Sequence, residues 1–242
     1  LELTGRLSDP AWKIAQPAPL LHEVDPGENI SPREATTAYV LYNAEYLYVG
    51  FDCADSNPAA IRASITERDK IYQDDFVVFL LDTYGDSQRA YEFFVNPHGI
   101  QGNVLQSGNV EDDSFDAIWE SAAAVSDSGW TAEMAIPFKS LRFPSSQEQI
   151  WRIHFARIFP RDSRYTYAWT TYDRNNPCLM CQAGTLAGIR DVEATRSVEL
   201  LPYAAAVQRS GLRDIDDAAS PFDKEALHAR VGGGIRYAPS PN

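Results

Sequence analysis

Apolar side chains return at every second position in run after run of this chain, and that spacing limits what it can fold into. In EYLYVGFDC (45–53), Leu47, Val49, Phe51 and Cys53 fall on one face, and Tyr46, Tyr48, Gly50 and Asp52 on the other. A period of two is that of a half-buried β-strand. FVVFLLD (76–82) is apolar on both faces, as a central strand covered on both sides would be. AYEFFVN alternates Tyr91, Phe93 and Val95 with Glu92, Phe94 and Asn96. TAEMAIPF places Ala132, Met134 and Ile136 together, and WRIHFARIF does the same for Trp151, Ile153, Phe155, Arg157 and Phe159. Turn chemistry separates these runs: YGDSQ, NPHG, SDSGW, RFPSSQ and DRNNP. Helical signal is confined to a turn or two within 57–65 and 137–143. Many short strands with little helix predict an all-β chain, a β-sandwich.

The 242 residues suffice for one large β domain, or one domain and part of another. With 44% hydrophobic and 12% aromatic residues, a sizeable core can be buried. A formal net charge of −13 disfavours nucleic acid and anionic membrane as partners. No apolar run reaches the length of a membrane-spanning helix. The chain opens abruptly at LELTGRLSDPAW and stops abruptly at GGGIRYAPSPN, in the manner of cut ends, consistent with a removed signal or a missing C-terminal part. Composition shifts near residue 193. We therefore divide the chain into residues 1–192, the sandwich, and 193–242, the start of a following β-rich region. In that region 196–211 and 227–237 are strand-like and 212–226 is polar and loop-like. The glycine-containing alternation of LHARVGGGIRY fits an outer-membrane barrel strand as well as a strand of a soluble protein.

Few residues carry chemistry. Cys178 and Cys181 form a C-x-x-C, which reads as a local disulfide, two free thiols, half a metal site or a redox pair. The cluster Glu111, Asp112, Asp113 and Asp116 beside Trp119 lacks the spacing of a calcium loop and reads as a solvated acidic loop. Trp119 is expected in the core or on an edge strand. Asp74 and Asp75 are adjacent, so in a strand they point to opposite faces and make a poor acid/base pair. They read as the polar edge of the following strand. The histidines are scattered, with His154 expected at the surface or partly buried. No nucleophile turn is present, so the chain is read as non-catalytic.

Several blocks stand in a telling order: GRLSDPAW (5–12), VLYNAEYLYVGFDCADSNP (40–58), DDFVVFLLDTYGD (74–86), FVNPHGIQ (94–101), DAIWESAAAVSDSGWTAEMAIPFKSLRFP (116–144), IHFARIFPR (153–161) and AGTLAGI (183–189). Over about residues 3–192 the chain resembles the family 9 carbohydrate-binding-module domain. More closely, it is similar to the version at the N-terminus of bacterial proteins whose C-terminal part is an outer-membrane β-barrel. The resemblance implies a sandwich of two antiparallel sheets. It also implies a terminal sugar held between two tryptophans, whose faces pack on the C–H face of a pyranose while polar side chains select its hydroxyls. Calcium supports some members.

Carried over residue by residue, the resemblance puts the first tryptophan at Tyr72, which is still aromatic. A binding carboxylate falls on Val78 and a binding arginine on Phe94, neither of which can take that role. Asn96 is retained. The second tryptophan falls near Pro177, where no aromatic stands, and Trp169 is the candidate to supply the second wall. Asp55 falls on a candidate calcium ligand, with an Asx-turn as the alternative. Thr4-Gly5 stands where the family has Asp-Gly, which weakens the expectation of calcium. The expected ligand-binding residues are thus Tyr72, Asn96 and Trp169, with Asp55 for calcium. The expected function is non-catalytic glycan binding in the periplasm or at the cell surface. The alternative is a structural or interaction domain of an outer-membrane protein that has lost sugar binding.

Overall fold

The computed structural model describes residues 1–108, 110–193, 198–208, 210–212, 221–224 and 226–237. The chain separates into two units, Leu1–Thr195 and Arg196–Pro241.

In the first unit, strands β1 (Ala18–Pro19), β3 (Thr36–Tyr42), β4 (Tyr46–Ala54), β9 (Glu120–Ser126) and β10 (Gly129–Pro137) form a five-stranded sheet in the order β1-β3-β4-β10-β9. A larger, eight-stranded sheet is built from β2 (His22–Asp25), β5 (Phe76–Asp82), β6 (Arg89–Val95), β7 (Gln101–Ser107), β8 (Val110–Asp112), β11 (Glu148–Pro160), β12 (Arg164–Ala168) and β13 (Gly184–Arg190). Its order is β2-β12-β11-β5-β6-β7-β8, with β13 also pairing to β11, and every described pairing is antiparallel. The fold is an all-β sandwich. The two stretches with helical signal contribute single 3-10 turns, Pro58–Ala60 and Phe138–Ser140.

The alternation dictates which faces meet. Leu47, Val49, Phe51 and Cys53 of β4 and Trp130, Ala132, Met134 and Ile136 of β10 join one core with Val77, Phe79 and Leu81 of β5, Phe93 and Val95 of β6, and Trp151, Ile153 and Phe155 of β11. Phe155 contacts Phe51 edge-on and stacks with Phe79. Each such large side chain gains roughly 1.5–3 kcal/mol from leaving water. Cys53 lies within this core, and burial pushes its thiol up to about 12, so it is held protonated.

FVVFLLD is covered on both sides because β5 is central and a second cluster lies on the outer face of the larger sheet. Phe76, Val78 and Leu80 of β5 join Ala90 and Phe94 of β6, Val104 of β7 and Ala156 of β11, under Ile71 and Met180 from loops. His154 lies on this face opposite Leu80 and is buried, deeper than its sequence position suggested. Its Nδ1 lies 3.0 Å from the Thr170 hydroxyl, and burial lowers it to about 4.

On the outer face of the smaller sheet the N-terminal segment is held by one buried carboxylate. Glu133 accepts from the backbone of Thr4 (2.7 Å) and Gly5 and from the Trp12 indole (2.8 Å). Gly5 has φ +74° and sits so near the Ala123 backbone that an added Cβ would come within 2.6 Å, so glycine is required there.

The second unit, taken by itself, pairs β14 (Val198–Val207) with β17 (His228–Tyr237) and β15 (Ser210–Leu212) with β16 (Phe222–Lys224), both antiparallel. The stretch 212–226, expected to be loop-like, thus contains a short strand. Its residues 213–220 and 225 lie outside the described residues.

Candidate functional site

The loop before β5 presents Tyr72 at the rim of the larger sheet's outer face. Three anchors hold that loop. Asp69 adopts φ +63° and accepts from the Asn103 backbone at 2.8 Å, tying the loop to β7. Asp74 accepts from the Ser64 backbone and hydroxyl, each at 3.0 Å, and from Asn96 Nδ2 at 2.9 Å. Asp75 accepts from the Arg62 backbone and Arg161 Nη1, each at 2.8 Å. Asp74 and Asp75 therefore rivet the loop to segment 62–64, to Asn96 just after β6 and to Arg161 just after β11. They stand at the polar edge of β5, as expected, but buried and committed to these partners.

Tyr72 rests edge-on against Phe76 (6.4 Å between centroids, 85°) and Phe94 (6.0 Å, 66°), which meet each other edge-on at 5.9 Å. The three rings form one braced cluster, yet Tyr72 stays 41% exposed. Arg164 donates to the Tyr72 carbonyl at 2.8 Å and lies 5.6 Å from the Phe76 ring. Burial and the carboxylates of Asp69, Glu111, Glu92 and Asp113 push the Tyr72 phenol above its ordinary pKa. The rim is thus aromatic, with carboxylates and the Arg164 guanidinium around it.

Register continues the face from Phe94 to Glu92 along β6. Glu92 is flanked by Leu80 on β5 and Val104 on β7. Burial first, and the Glu111 charge second, raise its carboxyl to about 7. The family resemblance assigns Glu92 no role. The signal was present in AYEFFVN, whose alternation puts Glu92 on the face of Phe94. At the far end, the loop holding Cys178 and Cys181 bends over the sheet. The two cysteines are disulfide-bonded, Met180 is buried on the outer cluster, and Arg89, Ala90, Gln106, Pro177 and Leu179 help line a cleft of ≈ 210 Å³.

The other expected ligand contacts lie elsewhere. Asn96 is fully buried. Its Nδ2 donates to the Ser64 carbonyl and Asp74, and its Oδ1 accepts from the His98 and Ile100 backbones, so both ends are committed to the loop scaffold. Trp169 packs in the inner core, edge-on to Phe155 at 5.5 Å, with Gly184 against its ring. It faces away from Tyr72 and does not wall the outer face. Asp55 makes the Asx-turn, accepting from the Asn57 backbone at 2.9 Å. Its other oxygen meets Arg161 and lies 3.6 Å from the buried Arg157. Arg161 bridges Asp55 to Asp75, and two guanidiniums stand where a cation would have to sit. This donor set does not fit calcium. Among the described residues, no group of three or more His, Cys, Asp or Glu side chains is arranged to hold a metal.

The profile of the carbohydrate family 9 binding domain-like family matches residues 3–157, well over half of the chain. The chain belongs to this family. No curated protein matches it. Two solved structures are similar to the family 9 domain described here. A candidate carbohydrate-binding protein from Bacteroides uniformis shares 14% identity and a TM-score of 0.60, over 74% of this chain and 87% of that one. A family 9 carbohydrate-binding module from Caldicellulosiruptor kristjanssonii, in complex with cellotriose, shares 15% identity and a TM-score of 0.56, over 76% and 87%. At such identities the likeness establishes the fold alone.

Proposed function

We propose that this family 9 domain binds a glycan without catalysis, on the outer face of the larger sheet, with Tyr72 as the stacking platform. The observation that carries the reading is the braced aromatic cluster. Tyr72 is held rigid by Phe76 and Phe94 and remains 41% exposed at the rim. A fixed, half-exposed ring can pack on the C–H face of a sugar with little ordering cost. The family and the cellotriose complex of the Caldicellulosiruptor module support carbohydrate as the ligand class. The Cys178–Cys181 disulfide supports an oxidising location, the periplasm or the cell surface.

One set of observations favours the second reading, a sandwich that has become a structural or docking domain of an outer-membrane protein. Val78 and Phe94 cannot hydrogen-bond a sugar, Asn96 is committed elsewhere, and Pro177 offers no ring. Calorimetric titration with neutral oligosaccharides, cellotriose among them, separates the readings. Saturable binding that Tyr72→Ala removes supports the first, and no heat from any glycan supports the second.

A further inference from the structure

We propose that Glu92 makes this face selective for glycans that carry a protonated amine. The inference rests on the reading that the face binds a glycan, and it names the ligand class.

A buried carboxylate needs donors or a counter-charge. Asp74 and Asp75 have theirs in Ser64, Asn96, Arg62 and Arg161. Asp82 accepts from three backbone N–H groups, those of Tyr84, Gly85 and Ser87. Glu133 accepts from Thr4, Gly5 and Trp12. Glu92 is 8% exposed and accepts no hydrogen bond or ion pair from a described residue. Its flanking neighbours, Leu80 and Val104, have no side-chain donor, and the charge that acts on it, Glu111, has its own sign.

Neither Arg164 nor Arg68 pairs with Glu92. Arg164 donates to the Tyr72 carbonyl, and Arg68 pairs with Asp69 and Asp116. What Glu92 lacks is a counter-charge of its own. A hydroxyl supplies one hydrogen bond, whereas an ammonium supplies donors and neutralises the carboxylate. The Tyr72 ring and the carboxylates of Glu111 and Asp113 also favour a cation. An anionic sugar meets like charge from all of them.

The test is calorimetry at neutral pH and physiological salt with three disaccharides: fully deacetylated chitobiose, its N-acetylated form, and cellobiose. The full chain is used, with Glu92→Gln beside it and the remote Glu2→Gln as a charge control. The expected result is at least tenfold tighter binding of the free-amine disaccharide. That preference is lost in Glu92→Gln and kept in Glu2→Gln. Equal wild-type affinities for the three sugars would overturn the proposal while leaving glycan binding in place, and this comparison needs no variant. A preference that survives Glu92→Gln would also overturn it. A simple alkylamine binding as tightly as the amino sugar would show a bare cation site and overturn the choice of a glycan. Silence from all three sugars would overturn the glycan reading itself, and this inference with it.

Discussion

Tyr72 and Trp169 belong to opposite faces of the larger sheet, Tyr72 against Phe76 and Phe94 on the outer face, and Trp169 against Phe155 in the inner core. A two-tryptophan clamp is therefore not rebuilt here from Tyr72 and Trp169. The outer face carries one exposed aromatic wall at its rim, with Glu92 along β6 and the disulfide loop at its far end. Truncation separates the two roles. Tyr72→Ala is expected to weaken glycan binding about tenfold or more, near 1.4 kcal/mol, with little loss of stability. Trp169→Ala is expected to cost about 3 kcal/mol of stability as a core truncation. Calorimetry and urea unfolding of both variants check the division.

The buried cluster of Asp55, Asp75, Arg157 and Arg161 predicts a second asymmetry. Arg157 is fully buried, donating to Thr36 Oγ1 at 3.1 Å and the Ala54 carbonyl at 2.8 Å. Removing one member of a buried ion cluster leaves uncompensated charge. Arg157→Leu is expected to destabilise by roughly 3 kcal/mol or more in urea unfolding. Calcium and a chelator are each expected to leave the wild-type melting temperature unchanged, because guanidiniums already neutralise these carboxylates.

Glu92 and His154 predict opposing pH trends. Burial first, and the Glu111 charge second, raise Glu92 from 4.5 to about 7, so the stability its proton confers is complete below 4.5 and is lost as pH rises through about 7. His154 is lowered from 6.5 to about 4, so its contribution is complete above 6.5 and is lost as pH falls through about 4. Between 4.5 and 6.5 the two offset each other. Glu92→Gln is expected to unmask an acid-side loss on the order of 2 kcal/mol. His154→Gln is expected to unmask the opposite slope. Unfolding free energies of the three proteins at pH 4.5, 5.5 and 6.5 read this directly.

How far the sequence carried differs between scaffold and face. Strand period placed Leu47, Val49, Phe51 and Cys53, and the facing set Trp151, Ile153 and Phe155, in the core where they stand. Burial of alternate residues is a local property, so one sequence suffices to read it. The role of Asn96 was not readable, because its partners Ser64 and Asp74 lie 32 and 22 residues away and meet it only when the loops dock. The same holds for Asp55 and Arg161, separated by 106 positions. Trp169 was misdirected for a simpler reason. It continues the register of Tyr165 and Tyr167, which point inward, and that parity outweighs its aromatic character.

The disulfide closes a loop of few residues, so its leverage on the unfolded chain is small. Cys178→Ser is expected to cost no more than about 2 kcal/mol. Because Met180 of this loop covers the outer cluster, the variant is also expected to speed amide exchange across 177–183 while leaving β4 and β10 protected. Hydrogen-exchange mass spectrometry with and without the substitution checks both parts.

The most direct measurement of glycan binding at the Tyr72 face is NMR shift mapping of the backbone amides during addition of an oligosaccharide. Binding at this face predicts saturable shifts confined to the loop 69–75, to Glu92 and Phe94 on β6, and to Gly102 and Val104 on β7, all of them absent in Tyr72→Ala. Shifts centred on the smaller sheet, or saturable shifts that persist in Tyr72→Ala, would contradict it.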